Sequence, residues 1–141
     1  MSQPNLGCLL VLSIGFLCQF TAFNTAQDLA TKVLKDDHFG DLGFYSLALH
    51  YACFGISSFM AAPVVNKLGE KYSLMIGCGT YVLYIGAFIP PCEWHEHPDD
   101  GLGADYWIMY IALMVCAGLT GFGASIAWVA QGKYLSSCSN D

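Results

Sequence analysis

Four long apolar runs, separated by short segments that hold almost all of the charge, constrain the fold of this chain more than any other feature. They cover approximately residues 6–27, 44–65, 72–91 and 106–130. Each is close to the ~20 residues that a helix needs to cross a hydrocarbon core ~30 Å thick. A backbone inside the bilayer must satisfy its own hydrogen bonds, and this requirement favours helices. The sequence therefore predicts an all-α membrane protein with four transmembrane helices, forming a single transmembrane domain over residues 1–141.

Composition bears on the alternatives to this prediction. The chain is 55% hydrophobic and 11% charged, with a mean hydropathy of +0.50, which few water-soluble domains reach. Four buried core helices of a soluble protein are the alternative, which the succession of runs with short charged gaps disfavours. No basic residue precedes the first run, so we expect a retained helix rather than a cleaved signal. Five lysines and no arginine argue against nucleic-acid binding. The apolar runs instead predict contact with the lipid bilayer.

Lysine placement predicts the orientation of the helices. The side that holds both termini has three lysines and the other side has two: Lys67, Lys71 and Lys133 against Lys32 and Lys35. The positive-inside rule then puts both termini in the cytosol. Cys92 follows the third crossing and Cys138 the fourth, so they are expected on opposite faces of the membrane and without a mutual disulfide.

Small residues recur at helical spacing within three of the runs. Such stripes let neighbouring backbones approach closely, and a substrate cavity is the alternative interpretation. The predicted packing positions are Ala117, Gly121 and Ser125 in the fourth run, Ser57 and Ala61 beside Phe54, Ser58 and Ala62 in the second, and Gly77, Gly79 and Gly86 in the third.

Four polar residues are candidates for a function at membrane depth. His50 lies about two turns into the second run, where an ionisable group is a functional candidate by default. A neutral histidine bonded to a neighbouring helix is the simpler interpretation. Asn24, Gln27 and Asp28 make the end of the first run polar, with Asn24 and Asp28 on one face. They either line a cavity or mark the point where the helix leaves the membrane.

The sequence contains no recognisable catalytic constellation, and it predicts neither a cofactor nor a metal site. The segment Cys92-Glu93-Trp94-His95-Glu96-His97 holds side chains that bind zinc or copper. A solvated loop is the favoured interpretation of this segment, with transient metal binding as the alternative. We therefore expect a protein that is not an enzyme.

The second connection, Asn66-Lys67-Leu68-Gly69-Glu70-Lys71, resembles the loop between helices two and three of the major facilitator superfamily. Lys67, Gly69 and Lys71 fit that family's pattern, whereas Asn66 replaces its acidic residue and Glu70 stands where a basic residue is usual. The resemblance implies a gate-like loop, and the two departures put conventional gating in doubt.

Two further stretches are similar to the UNC-93-like branch of that superfamily, whose better-known members regulate ion channels. One is Gly15-Phe16-Leu17-Cys18-Gln19-Phe20-Thr21-Ala22-Phe23. The other runs from Gly121 to Leu135 and contains a Trp-x-Ala-Gln-Gly motif, which supplies a family-like helix-four motif of Gly121, Trp128, Gln131 and Gly132. The resemblance covers nearly the whole chain.

The resemblance implies the N-terminal four-helix portion of a twelve-helix fold, that is, part of the N-terminal half of a major-facilitator-type bundle. The chain is then a fragment, a truncated product or a rare short protein. It implies a non-enzymatic regulatory or trafficking protein that contacts a channel or receptor, or self-associates, through its helices. The alternative is a fragment of a solute transporter of unknown substrate, which needs two six-helix halves around a midplane site.

Overall fold

The computed structural model describes residues 6–36, 39–93 and 104–140. Its helices are α1 (Leu6–Asp36), α2 (Leu42–Leu68), α3 (Glu70–Gly86), α4 (Ile89–Glu93) and α5 (Ala104–Asn140). The described residues contain no strand. Four segments are long and apolar enough to cross a membrane, namely α1, α2, α5 and the combined segment Glu70–Glu93. The predicted all-α membrane protein with four transmembrane helices is confirmed.

Two helices continue well past the predicted ends of their apolar runs. α1 reaches Asp36 rather than residue 27, and α5 reaches Asn140 rather than residue 130. The segment after residue 130, which lies beyond the fourth apolar run, is helical in its described part. Hydropathy reports where the apolar environment ends, whereas a helix ends where its backbone is interrupted. Lysine and glutamine are good helix formers, and neither extension contains a proline.

The third span is interrupted instead of continuous. α3 ends at Gly86, and α4 begins at Ile89 after a turn at Ala87 and Phe88. Pro90 and Pro91 occupy the first turn of α4, where a missing backbone N–H breaks no helical hydrogen bond. The interruption therefore lies just before the pair of prolines.

α5 lies at the centre of the bundle, with α2 and α3 packed against it along most of their length. Ala117, Gly121 and Ser125 are all buried, so the predicted stripe on this helix is confirmed as a packing surface. A Cβ atom on Gly121 would lie 2.8 Å from Cys53 Cβ of α2, and one on Gly77 of α3 would lie 2.5 Å from Ala127 Cβ of α5. These glycines allow backbone approach that no larger residue permits.

The packing prediction is wrong at four other positions. A Cβ on Gly79 or Gly86 would meet nothing within 4 Å, and Ser58 and Ala62 of α2 are exposed. α2 instead buries Ser57, Ala61 and Val65. Spacing defined two neighbouring faces of α2, but it did not indicate which of them meets α5.

The ends of the helices show that successive spans are antiparallel. The rings of Phe39 and Tyr106 stack with their centroids 4.8 Å apart, which brings the start of α5 to the connection between α1 and α2. At the opposite end Lys133 of α5 bonds Asn66 of α2. Cys92 and Cys138 therefore lie at opposite ends of the bundle. The cytosolic location of the termini stays a prediction.

Candidate functional site

The gate-like loop joins α2 to α3 through Gly69 alone. Gly69 has φ +82° and ψ 161°, a backbone conformation that side-chain-bearing residues rarely adopt, so the turn requires glycine here. Lys67 and Lys71 are exposed on either side of it. The loop is thus a sharp reversal with two cationic side chains directed away from the protein interior.

The C-terminal extension of α5 contacts this loop. Lys133 Nζ donates a hydrogen bond to Asn66 Oδ1 at 3.1 Å, and Ser137 Oγ donates to Glu70 Oε1 at 3.4 Å. Asn66 presents a neutral amide, so it accepts a hydrogen bond from Lys133 but forms no ion pair with it. Lys133 and Ser137 both lie beyond the predicted end of the fourth apolar run, and the sequence analysis missed both contacts. The two partners of each contact lie 67 residues apart in the chain, and the sequence contains no signal of either contact because it depends on the helix continuing.

The four residues of the family-like helix-four motif lie on α5, the fourth membrane span, and have different surroundings. Gly121 is buried against α2, whereas a Cβ on Gly132 would meet nothing within 4 Å. Trp128 is about half exposed, with its ring centroid 5.3 Å from that of Phe20 of α1. Gln131 Oε1 is buried and has no hydrogen-bond partner among the described residues. The motif is therefore not a single site but a sequence of separate contacts along α5.

The structure brings together two of the four polar candidates at membrane depth. His50 and Asn24 both border a cavity of about 320 Å³ between the helices. Asn24 Nδ2 also donates to the Phe20 carbonyl at 2.8 Å. Gln27 is buried but does not border this cavity, and Asp28 is exposed. Asn24 therefore borders a cavity, which is one of the two interpretations of this polar segment, and an exit of the helix from the membrane at Asp28 stays a prediction.

His50 is 3% exposed and lies among aromatic rings. Its ring centroid is 5.6 Å from that of Phe23 on α1 and 6.1 Å from that of Tyr84 on α3. Ser46, one turn earlier on α2, shares a 2.9 Å hydrogen bond with the Tyr84 hydroxyl. Sequence analysis missed Tyr81 and Tyr84, although their three-residue spacing in an apolar helix places both on one face.

No described group of three His, Cys, Asp or Glu side chains is arranged to hold a metal ion, in residues 6–36, 39–93 and 104–140. Of the metal-ligand types in the Cys92–His97 segment, His95, Glu96 and His97 lie outside the described residues. The choice between a solvated loop and transient metal binding therefore stays a prediction.

Comparisons with known proteins identify the relatives of this chain. The family model for the ion channel regulatory protein UNC-93 matches residues 39–141. UNC93-like protein 3 of Arabidopsis thaliana is 38% identical over 90% of the chain and 23% of its own length. UNC93-like protein MFSD11 of Xenopus tropicalis is 32% identical over 94% of the chain and 27% of its own length.

A third relative is named for a cellular role. The putative potassium channel regulatory protein unc-93 of Caenorhabditis elegans is 35% identical over 89% of the chain and 15% of its own length. The chain thus spans about a quarter or less of the length of these curated relatives. No solved structure matches the chain.

Proposed function

The chain belongs to the UNC-93 family of ion channel regulatory proteins, and from this we propose that it is a non-enzymatic, multi-pass membrane protein that regulates or traffics a channel or receptor. The observation that carries the proposal is the family match, which spans α2 to α5. The relative named for potassium channel regulation makes a potassium channel the first partner class to test.

The use of polar side chains inside the bundle supports a role without catalysis. Ser57 Oγ donates to Ser125 Oγ at 2.9 Å, which links α2 to α5. Thr120 Oγ1 donates to the Thr80 carbonyl at 2.9 Å, which links α5 to α3. These hydroxyls are engaged in holding helices together, as is common in membrane bundles. A packed platform of this kind suits a protein that acts by contact.

The outer surfaces of α1 and α2 supply apolar area for such contacts. Val11 and Leu17 of α1 are 74% and 68% exposed, and Phe59 of α2 is 90% exposed. In a bilayer these side chains face lipid unless another helix replaces it. When a partner helix replaces lipid on this surface, the favourable free energy comes from close packing and hydrogen bonds rather than from the hydrophobic effect. We propose that a partner channel, or a second copy of the chain, packs on this surface.

A test of the proposal compares channel currents with and without the chain. The chain is co-expressed in oocytes with each member of a panel of potassium channels, and surface channel number and current density are measured. Gly121→Leu, which disrupts packing against α2, should abolish any effect, and Gly132→Leu should retain it. Unchanged currents and surface numbers across the panel, with the chain present in the same membrane, would contradict regulation of this channel class.

The alternative, a fragment of a solute transporter, is favoured by the cavity beside His50 and Asn24. It requires the four helices to be the first part of a major-facilitator-type half, completed by further helices from a longer chain or an oligomer. Against it stands Asn66, which supplies no charge for a gate ion pair. We expect the purified chain in liposomes to show no saturable solute flux. Saturable uptake by a monodisperse monomer would favour the transporter.

A further inference from the structure

A groove of about 530 Å³ lies where the start of α1, the start of α3 and the end of α5 meet. Its volume falls within the ~300–1,000 Å³ typical of small-molecule sites. The groove opens on the outside of the bundle, because Cys8 and Met75 on its border are exposed. Lipid therefore has access to it. The groove is separate from the cavity beside His50, since no residue borders both.

The lining of this groove changes from charged to apolar along its length. Lys71 is the second residue of α3, and Leu74 and Met75 lie about one helical turn deeper in the same span. On α1 the apolar side chain of Leu12 also lies more than one turn from the start of its helix. The groove thus has a cation near the end of the bundle and hydrocarbon side chains further in. A phospholipid has the same order, with a charged headgroup followed by acyl chains.

Two polar side chains at the outer end of the groove suit a phosphate group. Lys71 is exposed, and its ammonium makes no hydrogen bond or ion pair with any described residue. Tyr134 of α5 also borders the groove, and its hydroxyl lies near the thiols of Cys8 and Cys138, which are weak hydrogen-bond partners. The described residues that line the groove include no carboxylate. A phosphate would therefore accept charge-assisted hydrogen bonds from Lys71 without repulsion from the lining.

The charge around this end of the bundle favours a lipid with a net negative headgroup. The described residues at the start of α1, the junction of α2 with α3 and the last turns of α5 carry three lysines and one carboxylate: Lys67, Lys71, Lys133 and Glu70. A lysine near the headgroup strengthens binding of an anionic lipid by about fivefold, and the attraction falls off within a Debye length. A zwitterionic lipid gains less, because its own ammonium group is repelled by the same lysines.

From these observations we propose that the groove binds one anionic phospholipid, with its phosphate at Lys71 and Tyr134 and an acyl chain along the apolar side chains of α1 and α3. In their most apolar stretches, α1 is the least buried of the four spans. A lipid that contacts α1, α3 and α5 at once would hold α1 against the bundle. The predicted cytosolic position of this end agrees with the leaflet in which anionic lipids are concentrated. The site is independent of whether the chain regulates a channel.

The test measures lipid binding to the full chain by native mass spectrometry from a neutral maltoside detergent. Phosphatidylglycerol and phosphatidylcholine with identical acyl chains differ in net headgroup charge, and the matching diacylglycerol has no phosphate. We expect one saturable phosphatidylglycerol, bound about threefold to tenfold more tightly than phosphatidylcholine, and still weaker binding of the diacylglycerol. Glycerophosphoglycerol, which is the same headgroup without acyl chains, should not displace the lipid at an equal concentration.

Two pairs of variants locate the site. Lys71→Gln should remove most of the preference for phosphatidylglycerol, whereas Lys67→Gln, at an exposed lysine that does not border the groove, should retain most of it. Met75→Phe places a ring in the apolar part of the groove and should weaken binding of both phospholipids. Ile76→Phe, at the next position of α3 but outside the groove, is its control. All four side chains are exposed, so the variants should keep the thermal unfolding transition of the unmodified chain.

Equal affinity for phosphatidylglycerol and phosphatidylcholine would overturn the proposal, because the groove would then bind acyl chains without regard to headgroup charge. An equal loss of preference in Lys71→Gln and Lys67→Gln would assign the preference to the general charge of the surface, which also contradicts a site in the groove. Displacement of the lipid by glycerophosphoglycerol would indicate a site for soluble anions. Unchanged binding in Met75→Phe would place the acyl chains elsewhere and contradict the proposed position.

Discussion

α1 and α5 are both long apolar helices, yet they differ sharply in how much of their surface is buried. In the most apolar 18-residue stretch of each helix, 6% of the residues of α1 are buried and 50% of those of α5. α5 presents small residues to its neighbours, such as Ala117, Gly121 and Ala124. α1 makes its contacts across the membrane mostly through large rings, as when Phe20 meets Trp128. In lipid, where apolarity does not drive burial, small residues decide which helix becomes central.

The largest effect should come from filling the closest contact of α5. Gly121→Leu would place a side chain against the His50 carbonyl and Cys53 of α2, forcing the helices apart at a cost at the upper end of ~1–3 kcal/mol. Gly132→Leu is the control, because a Cβ there meets nothing within 4 Å. The yield of inserted, monodisperse protein and its unfolding in SDS should separate the variants. Equal values for both would contradict the central role of α5.

A pair of glycines in α3 tests which face of this helix packs against the central α5. Gly77→Ala should lower the free energy of unfolding by about 1–2 kcal/mol, since the added Cβ would approach Ala127 Cβ of α5 to 2.5 Å. Gly79→Ala, two residues further along, has open space and should be neutral or slightly stabilising. Denaturation of both variants in the same detergent gives the comparison. A larger loss for the second variant would show that α3 uses another face.

Contacts of α1 should contribute less than those of α5. Phe23 is 3% exposed and makes an edge-to-face pair with Tyr81 at 4.9 Å. Phe23→Leu should cost about 0.5–1.5 kcal/mol, the usual contribution of an aromatic pair. Leu17→Ala, at an exposed position of the same helix, should change the stability little. If both variants lose the same stability, α1 is held by general apolarity rather than by its rings.

A hydrogen bond between α2 and α5 should have a smaller effect again. Ser57→Ala removes the 2.9 Å bond to Ser125 and should cost about 0.6 kcal/mol, the mean for hydrogen bonds between helices in a bilayer. Ser58→Ala is a matched control, because Ser58 is exposed and, among the described residues, bonds only the Phe54 carbonyl of its own helix. The difference between the two unfolding free energies reports the interhelical bond. A zero difference would assign the α2–α5 contact entirely to packing.

The smallest effect is expected at the gate-like loop, and its sign is the opposite. Asn66→Asp would convert the 3.1 Å hydrogen bond with Lys133 into an ion pair and should stabilise the protein by about 0.2–1 kcal/mol. The gain should shrink as salt concentration rises and should vanish in a Lys133→Gln background. A gain that survives in that background would have a cause other than the ion pair.

The sequence predicted more of the fold than of the sites, and particular residues show why. Run length and charge placement predicted four spans correctly, because both are properties of consecutive residues. The stripe of Ala117, Gly121 and Ser125 was also correctly interpreted as packing. The same argument failed for Gly79 and Gly86, because spacing does not reveal which face of a helix has a neighbour. Of the four polar candidates, Asn24 and His50 border the same cavity.

By itself, the sequence determined that this chain forms four helical spans apolar enough to cross a membrane and which residues are small enough for close approach. These features are local, since each follows from a short stretch of chain and from the cost of an unpaired backbone in lipid. The tertiary structure alone decided that α5 is central and that α1 is peripheral. It alone brought Lys133 to Asn66 and placed His50 among aromatic rings, with Nδ1 lacking a hydrogen-bond partner in the described part of the chain. Those features depend on distances between residues far apart in the chain, and these distances are fixed only when the helices pack against one another.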